Sequence, residues 1–242
     1  MDQQTKTALK KDKFVTTTNE GIEWAGEHRR SVIINGAIAL GVIVVVVIAG
    51  VIYNSRSNAA STAFGEAMQV YQTPLGPSES SDAGAKTYAT AAERSKAAGA
   101  LFQAVADKYG CTSAGENALY FAGLTYIESG ENQRAEDTLK KVAKGWDGSL
   151  SGLAKFTLAQ FYHNNGRDPE AIEIYTKLTK RPAATVPVAL AQLQLADLYQ
   201  AEGKSDEAKA IYATLKQNDP KSVAGEMAAE KLNPTASSPA GQ

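Results

Sequence analysis

The side chains able to do chemistry are few in this sequence, and their spacing does not suggest a reaction. The two histidines, His28 and His163, lie far apart, and neither has cysteine or clustered carboxylates at metal-ligand spacing. The sequence contains no G-x-S-x-G motif, no phosphate-binding loop and no histidine–carboxylate constellation. Asp and Glu fall mainly at predicted helix caps and on outward faces, where solvation explains them. We therefore expect no enzyme activity, no metal ion and no cofactor.

The one cysteine and the charge balance restrict the remaining possibilities. Cys111 has no partner for an internal disulfide, and it is either a small apolar core residue, the interpretation we favour, or a free thiol. The formal net charge of −1 offers no bulk electrostatic basis for nucleic-acid binding. Alanine is abundant along the chain, as is typical of closely packed helices. A helical protein that binds other proteins fits these features better than an enzyme.

One uninterrupted apolar segment lies near the N-terminus. Residues 32–53, VIINGAIALGVIVVVVIAGVIY, are 22 residues long with Asn35 as the only strongly polar side chain. At about 1.5 Å per residue, a helix of this length spans a hydrocarbon core of roughly 30 Å. The many valines do not favour a strand, because a lone strand leaves its backbone unsatisfied in lipid. We predict a single transmembrane helix, with Trp24 and Tyr53 at its two interfaces.

Cations beside this segment predict its orientation. Lys11, Lys13, Arg29 and Arg30 precede it, whereas only Arg56 follows within a similar distance. The positive-inside rule then places residues 1–31 in the cytoplasm as a tail and the rest of the chain outside. A cleaved signal peptide is the alternative, but its apolar region is usually about 7–15 residues long.

The apolar segment also bears on oligomerisation. Ala37 and Gly41 form a small-xxx-small pair of the kind that dimerises membrane helices. Such pairs are frequent by chance in segments rich in alanine and glycine. Homo-oligomerisation therefore stays open.

A spaced pattern recurs three times beyond this segment. Gly130, Gly166 and Gly203 are separated by 36 and 37 residues. A tyrosine stands four residues before each glycine, an alanine five after, and a small residue seven before: Tyr126, Tyr162, Tyr199; Ala135, Ala171, Ala208; Gly123, Ala159, Ala196. Small residues let paired helices approach, and glycine permits the reversal between them. We read each copy as a helical hairpin.

The pattern resembles the tetratricopeptide repeat, whose unit of about 34 residues has small, aromatic, glycine and alanine residues at the same positions. Two local signals agree with helix starts at the expected places. Ser113–Glu116 reads as a capping box, and Asp168 reads as an N-cap followed by Pro169. The predicted fold class is all-α, a single N-terminal transmembrane helix followed by a tetratricopeptide-repeat α-solenoid.

Domain boundaries follow from this alignment. Residues 54–232 form the predicted extracytoplasmic repeat domain, and residues 233–242 a disordered tail. Within the domain we place a degenerate helix pair at 58–109, repeats at about 116–149, 152–185 and 189–222, and a capping helix at 222–232. The stretch PLGPSESSDAGA inside the degenerate pair is predicted to be a polar, mobile loop.

The first helix of each repeat should line a concave face that binds an extended peptide or a partner helix. The predicted groove residues are Tyr120, Leu124, Ile127, Phe156, Gln160, His163, Leu193, Asp197 and Gln200. The alternative is that several of these side chains pack between repeats. Leu190 and Gln194 stand where family members that clamp a C-terminal carboxylate have cations, so we do not expect that specificity.

The whole arrangement resembles the YfgM-type ancillary subunit of the bacterial SecYEG translocon. The resemblance covers residues 20–232, and Asn54–Gln72 continues the anchor into the first repeat helix. It implies a protein of the bacterial inner membrane, with its repeat domain in the periplasm. There it would link emerging chains from the translocon to periplasmic chaperones, without catalytic residues. The alternative is a scaffold for cell-envelope assembly or cell division complexes.

Overall fold

The computed structural model describes residues 29–76 and 87–233, and these ranges are helical almost throughout. The helices are α1 Arg29–Tyr71, α2 Ala91–Tyr109, α3 Ser113–Glu128, α4 Asn132–Ala143, α5 Gly148–Asn164, α6 Asp168–Lys180, α7 Val188–Ala201, α8 Ser205–Asn218 and α9 Val223–Leu232. Extended structure within these ranges is limited to one parallel bridge between Leu75 and Tyr88. The predicted all-α class is confirmed. The predicted cytoplasmic tail up to residue 28, most of the polar loop and the tail from residue 234 lie outside the described residues.

The chain forms two compact units that divide between Ser55 and Arg56. In the first unit, the large apolar side chains from Ile33 to Tyr53 are exposed. Among the described residues, α1 is the one helix long and apolar enough to cross a membrane, a test that signal sequences also pass. Because α1 extends to Tyr71, residues 54–71 continue the same helix, as expected for the stretch Asn54–Gln72.

In the second unit, helices that are neighbours in sequence pack against each other, and α3 also contacts α5. The C-terminal part of α1 and helix α2, which form the degenerate helix pair predicted at 58–109, are joined to α3 by aromatic packing. Phe64 and Tyr71 of α1 surround Phe102 of α2 and Phe121 of α3, with ring centroids between 5.4 and 6.2 Å apart. The Tyr71 hydroxyl also donates to Glu128, 2.5 Å away. The repeat array therefore begins in the C-terminal part of α1.

The three predicted reversals have one geometry. Gly130, Gly166 and Gly203 have φ of 78°, 71° and 78°, a left-handed conformation that glycine adopts without steric cost. In each case the next residue donates its backbone N–H to the carbonyl of the tyrosine four before the glycine, at 2.8 Å. This pair of features is the Schellman ending of a helix. The glycine alignment is therefore confirmed.

Small residues lie at the predicted helix crossings. Gly123 is buried, and a Cβ placed on it would lie 2.8 Å from Cδ2 of Leu139 in α4. The equivalent Ala159 and Ala196, and the alanines after each turn, are fully buried. A larger side chain at these positions would push the paired helices apart.

Both predicted N-caps are wrong. Helix α3 is capped by Thr112, whose hydroxyl accepts from the N–H of Gly115 at 3.1 Å, and Ser113 is the first helical residue. Helix α6 begins with Asp168 itself, and the N-cap residue is Arg167, which makes no side-chain capping bond. The Asp168 carboxylate instead pairs with Nδ1 of His163 at 2.7 Å. Each helix begins one residue away from its predicted start.

Cys111 also differs from the favoured expectation. It lies in the turn between α2 and α3, where it is exposed and free. The neighbouring Thr112 is buried instead, and Gly115 lets α3 approach the end of α2, because a Cβ on Gly115 would lie 2.0 Å from the carbonyl oxygen of Tyr109. The free-thiol alternative is the correct one.

Candidate interaction surface

The nine predicted groove residues occupy positions i, i+4 and i+7 on α3, α5 and α7, so each set of three lies on one side of its helix. The structure brings α3 and α5 into contact. The Tyr120 hydroxyl of α3 hydrogen-bonds the Thr157 hydroxyl of α5 at 3.0 Å. These two helices therefore present adjacent parts of one surface.

The two aromatic members of the set are partly engaged in packing. Tyr120 lies edge-on to Phe121 at a centroid distance of 5.9 Å, and Phe156 lies edge-on to Tyr175 of α6 at 5.6 Å. Both side chains are half-buried against the main core. They contribute to the repeat interior as well as to its surface, as the packing alternative anticipated.

The members on α7 are less available. Leu193 is 2% exposed and packs in a core cluster with Tyr212 and Ala208 of α8, so it is not open to a ligand. Asp197 accepts a hydrogen bond from the Tyr212 hydroxyl at 2.6 Å and pairs with Lys231 of α9 at 3.1 Å. Burial and this hydrogen bond raise the pKa of Tyr212. Leu193 and Asp197 thus hold α7 to the two helices that follow.

The remaining five residues form the accessible part of the predicted groove, and we refer to them as the first-helix face. Gln160, His163 and Gln200 are exposed, whereas Leu124 and Ile127 are half-buried. Their side chains are apolar or neutral amides apart from the imidazole. The surface offers apolar contact and hydrogen bonds, and no nucleophile activated by a neighbouring base.

Sequence reasoning missed a cation over each turn tyrosine. Arg134 lies 4.0 Å from the ring centre of Tyr126, and Arg167 lies 4.2 Å from that of Tyr162. In the third repeat, Lys204 lies 5.5 Å from Tyr199. The cation follows the glycine by one or four residues, which is a signal that the sequence alignment contained. The contacts cover the turn end of each hairpin.

The model of the tetratricopeptide repeat-like domain matches residues 24–235. The chain belongs to this family. No curated protein matches it in sequence. Tetratricopeptide-like repeats generally mediate protein–protein interaction and are typically non-catalytic scaffolds.

Two solved structures have the same tetratricopeptide-like fold. Both are crystal structures of the nearly identical repeats of a Podosopora anserina protein named as a kinesin light chain, one of them a point variant. They are 17% and 18% identical in sequence, and each has a TM-score of 0.53 over 73% of this chain and 84% of the other. At this identity the likeness concerns the fold alone.

One polar cluster joins successive tetratricopeptide-like repeats. Glu136 of α4 is buried, and its carboxylate accepts from Lys140 at 2.6 Å, from the Tyr162 hydroxyl at 3.0 Å and from Arg167 at 2.6 Å. Burial alone would raise the pKa of this carboxyl, but the three hydrogen bonds outweigh burial and lower the pKa to about 2. The carboxylate stays charged and links the first repeat to the second.

Proposed function

We propose that this protein is a membrane-anchored scaffold that binds other proteins in the bacterial periplasm, beside the Sec translocon. Residues 32–53 are the anchor, residues 1–31 stay in the cytoplasm, and residues 54–232 form the periplasmic repeat domain. The observation that carries the proposal is the combination of one exposed, apolar helix with a tetratricopeptide repeat-like domain.

The length of the apolar segment supports an anchor over a cleaved signal, because its 22 residues exceed the roughly 7–15 of a signal peptide. The match to the family model includes this segment, since it begins at residue 24 and continues to residue 235. The bias of flanking cations supports a cytoplasmic N-terminus.

The partner chemistry is argued from the first-helix face and the resemblance to the YfgM-type subunit. A surface of apolar groups and neutral amides suits segments of varied sequence, such as chains emerging from the translocon. The anchor raises the local concentration of this surface beside whatever neighbours the helix, so that modest affinities suffice for handover to periplasmic chaperones. A scaffold for cell-envelope assembly or division would have the same surface and different partners.

Cys111 provides a direct test of topology. Because this exposed thiol is the only cysteine in the chain, a membrane-impermeant maleimide should label it in intact spheroplasts as fully as in lysed ones. The labelled protein should keep the mass of the full chain, including its N-terminal residues. Labelling only after lysis would contradict the periplasmic assignment, and loss of the leader would contradict the anchor.

Partner identity is tested by crosslinking from the first-helix face. A photoreactive residue at Gln160 should capture translocon subunits and periplasmic chaperones in native membranes, detected by mass spectrometry after affinity purification. The matched control places the same residue at Lys209, which is exposed on α8. Equal capture from both positions would remove the first-helix face from the proposal. Capture of division or envelope-assembly proteins from Gln160 would retain the scaffold and remove the secretion role.

A further inference from the structure

A cleft opens on another side of the second repeat. Helices α4, α5 and α6 and the segment after α6 enclose about 710 Å³. Its floor is apolar and includes Ala143, Leu158, Ile174 and Leu178. Leu158 and Leu178 are buried, whereas Ala143 and Ile174 are half-buried and reachable from solvent. The cleft is therefore an open groove with a hydrophobic base.

The residues that line the cleft include no carboxylate. They include six cations: Lys140, Lys144, Lys155, Lys177, Lys180 and Arg181. Two of them are neutralised, since Lys140 pairs with Glu136 and Lys177 with Glu173. The side chains of the other four make no ion pair or hydrogen bond with any residue that the structure describes. An anionic ligand in the cleft would therefore meet four cations that have no ion-pair partner among the described residues.

The repeat fold does not require the cations that the second repeat contributes to the cleft. One repeat towards the C-terminus, 37 residues on, the equivalents of Lys155, Lys177, Lys180 and Arg181 are neutral: Gln192, Thr214, Gln217 and Asn218. That repeat forms the same helical hairpin and the same glycine turn. The cations that the second repeat contributes are therefore particular to that repeat, whereas Lys144 of the first repeat has another cation, Lys180, at the equivalent position 36 residues on.

The cleft is separate from the first-helix face. On α5 the cleft residues Ser151, Lys155 and Leu158 precede the groove residues Phe156, Gln160 and His163 by five positions each. A shift of five residues turns the side chains by roughly 140° about the helix axis. A ligand in the cleft would leave the first-helix face free, so the inference does not rest on the proposed function.

We propose that this cleft binds an acidic amphipathic segment of a partner protein. The apolar side chains of this segment would cover the floor of the cleft beside Ile174. The carboxylates of the segment would lie among Lys144, Lys155, Lys180 and Arg181. The four unpaired cations come from three places along the chain: Lys144 directly after α4, Lys155 on α5, and Lys180 and Arg181 at the end of α6. A polypeptide with acids flanking an apolar stripe matches that arrangement, whereas a lipid headgroup carries its charge at one end only.

The test uses the full-length protein in nanodiscs of phosphatidylcholine and a fluorescein-labelled helical peptide with one glutamate face and one leucine face. Binding is followed by fluorescence anisotropy. Lys155→Glu combined with Lys180→Glu should weaken binding about tenfold at low salt, because two attractions become repulsions. Lys209→Glu combined with Lys216→Glu on α8 changes the net charge equally and should leave the affinity unchanged. Both control lysines are exposed.

Further measurements distinguish an acidic peptide from an anionic lipid as the ligand of the cleft. Replacing the peptide's leucines by alanine should abolish most of the binding, and replacing its glutamates by lysine should abolish all of it. Lys155→Gln with Lys180→Gln serves as a milder variant should the reversals alter the circular dichroism spectrum, and should give an intermediate loss. Equal losses from the cleft and α8 variants would overturn the proposal. So would binding of phosphatidylglycerol vesicles that depends on the cleft lysines while the peptide fails to bind.

Discussion

Replacement of Tyr175 by alanine is expected to lower the free energy of unfolding by about 3–5 kcal/mol. The side chain is 1% exposed at the centre of the second repeat, with Phe156 edge-on at 5.6 Å. Its removal takes away apolar contact and leaves a cavity between α5 and α6 that the helices fill only in part. Urea denaturation of the full-length protein in detergent micelles, followed by circular dichroism, measures the loss.

The matched control is Tyr175→Phe. The Tyr175 hydroxyl makes no hydrogen bond to the residues that the structure describes, and burial raises its pKa. Deleting only this oxygen should therefore change the stability by less than about 1 kcal/mol. If the phenylalanine variant lost as much as the alanine variant, the hydroxyl and not the ring would hold the repeat together.

The same measurement bears on the predicted groove, because Phe156 could act either in packing or in partner binding. A double-mutant cycle of Phe156→Ala with Tyr175→Ala should give a coupling of about 0.5–1.5 kcal/mol. Strictly additive losses would mean that the ring contributes little to packing and is free for a partner. Coupled losses would mean that the Phe156 ring is part of the packing between α5 and α6, and that a substitution there changes stability as well as the groove surface.

The repeat was predictable because each of its signature positions has a local physical cause. A left-handed turn selects glycine at Gly166, and a close helix crossing selects a small residue at Ala159. Neither requirement depends on distant parts of the chain. The exact helix starts were less predictable, since Thr112 and Ser113 are adjacent residues that can both cap a helix, and in the structure Thr112 does so.

The candidate site was harder to predict. The spacing of residues shows which of them share one side of a helix, but not whether that side is exposed to solvent. Positions 193, 197 and 200 share a side of α7, yet Leu193 is buried by α8 while Gln200 is exposed. The cleft and the Glu136 cluster depend on contacts between repeats, such as the pair formed with Arg167, 31 residues away. The spacing of residues within one helix carries no information about such pairs.

Glu136→Gln is the second substitution with a large expected effect, and its effect should depend on pH. The pKa of Glu136 is lowered from 4.5 to about 2 by Lys140, Arg167 and Tyr162, against the opposing effect of burial. A carboxylate with a depressed pKa stabilises the fold above its unfolded pKa, and this stabilisation is lost as the pH falls through the folded pKa. The shift corresponds to on the order of 3 kcal/mol at neutral pH.

The energy is assigned to the carboxylate because it is the shielded member of the cluster. Its side chain is 12% exposed, against 46% for Lys140 and 39% for Arg167. Glutamine has the shape of the protonated acid, so the variant mimics the low-pH state without a cavity. The difference in unfolding free energy between wild type and Glu136→Gln should be constant above about pH 5 and should close between about pH 4.5 and pH 2.

Glu173→Gln separates this effect from ordinary surface pairing. Glu173 pairs with Lys177 one turn along α6, and the two side chains are 64% and 69% exposed. Such a pair contributes about 0.3–0.5 kcal/mol, so its loss should be small across the same pH range. Equal losses from the two variants would mean that the Glu136 cluster does not join the repeats. A larger, pH-dependent loss at Glu136 alone would mean that one buried carboxylate keeps the first and second repeats in contact, and with them α4, α5 and α6, which form the cationic cleft.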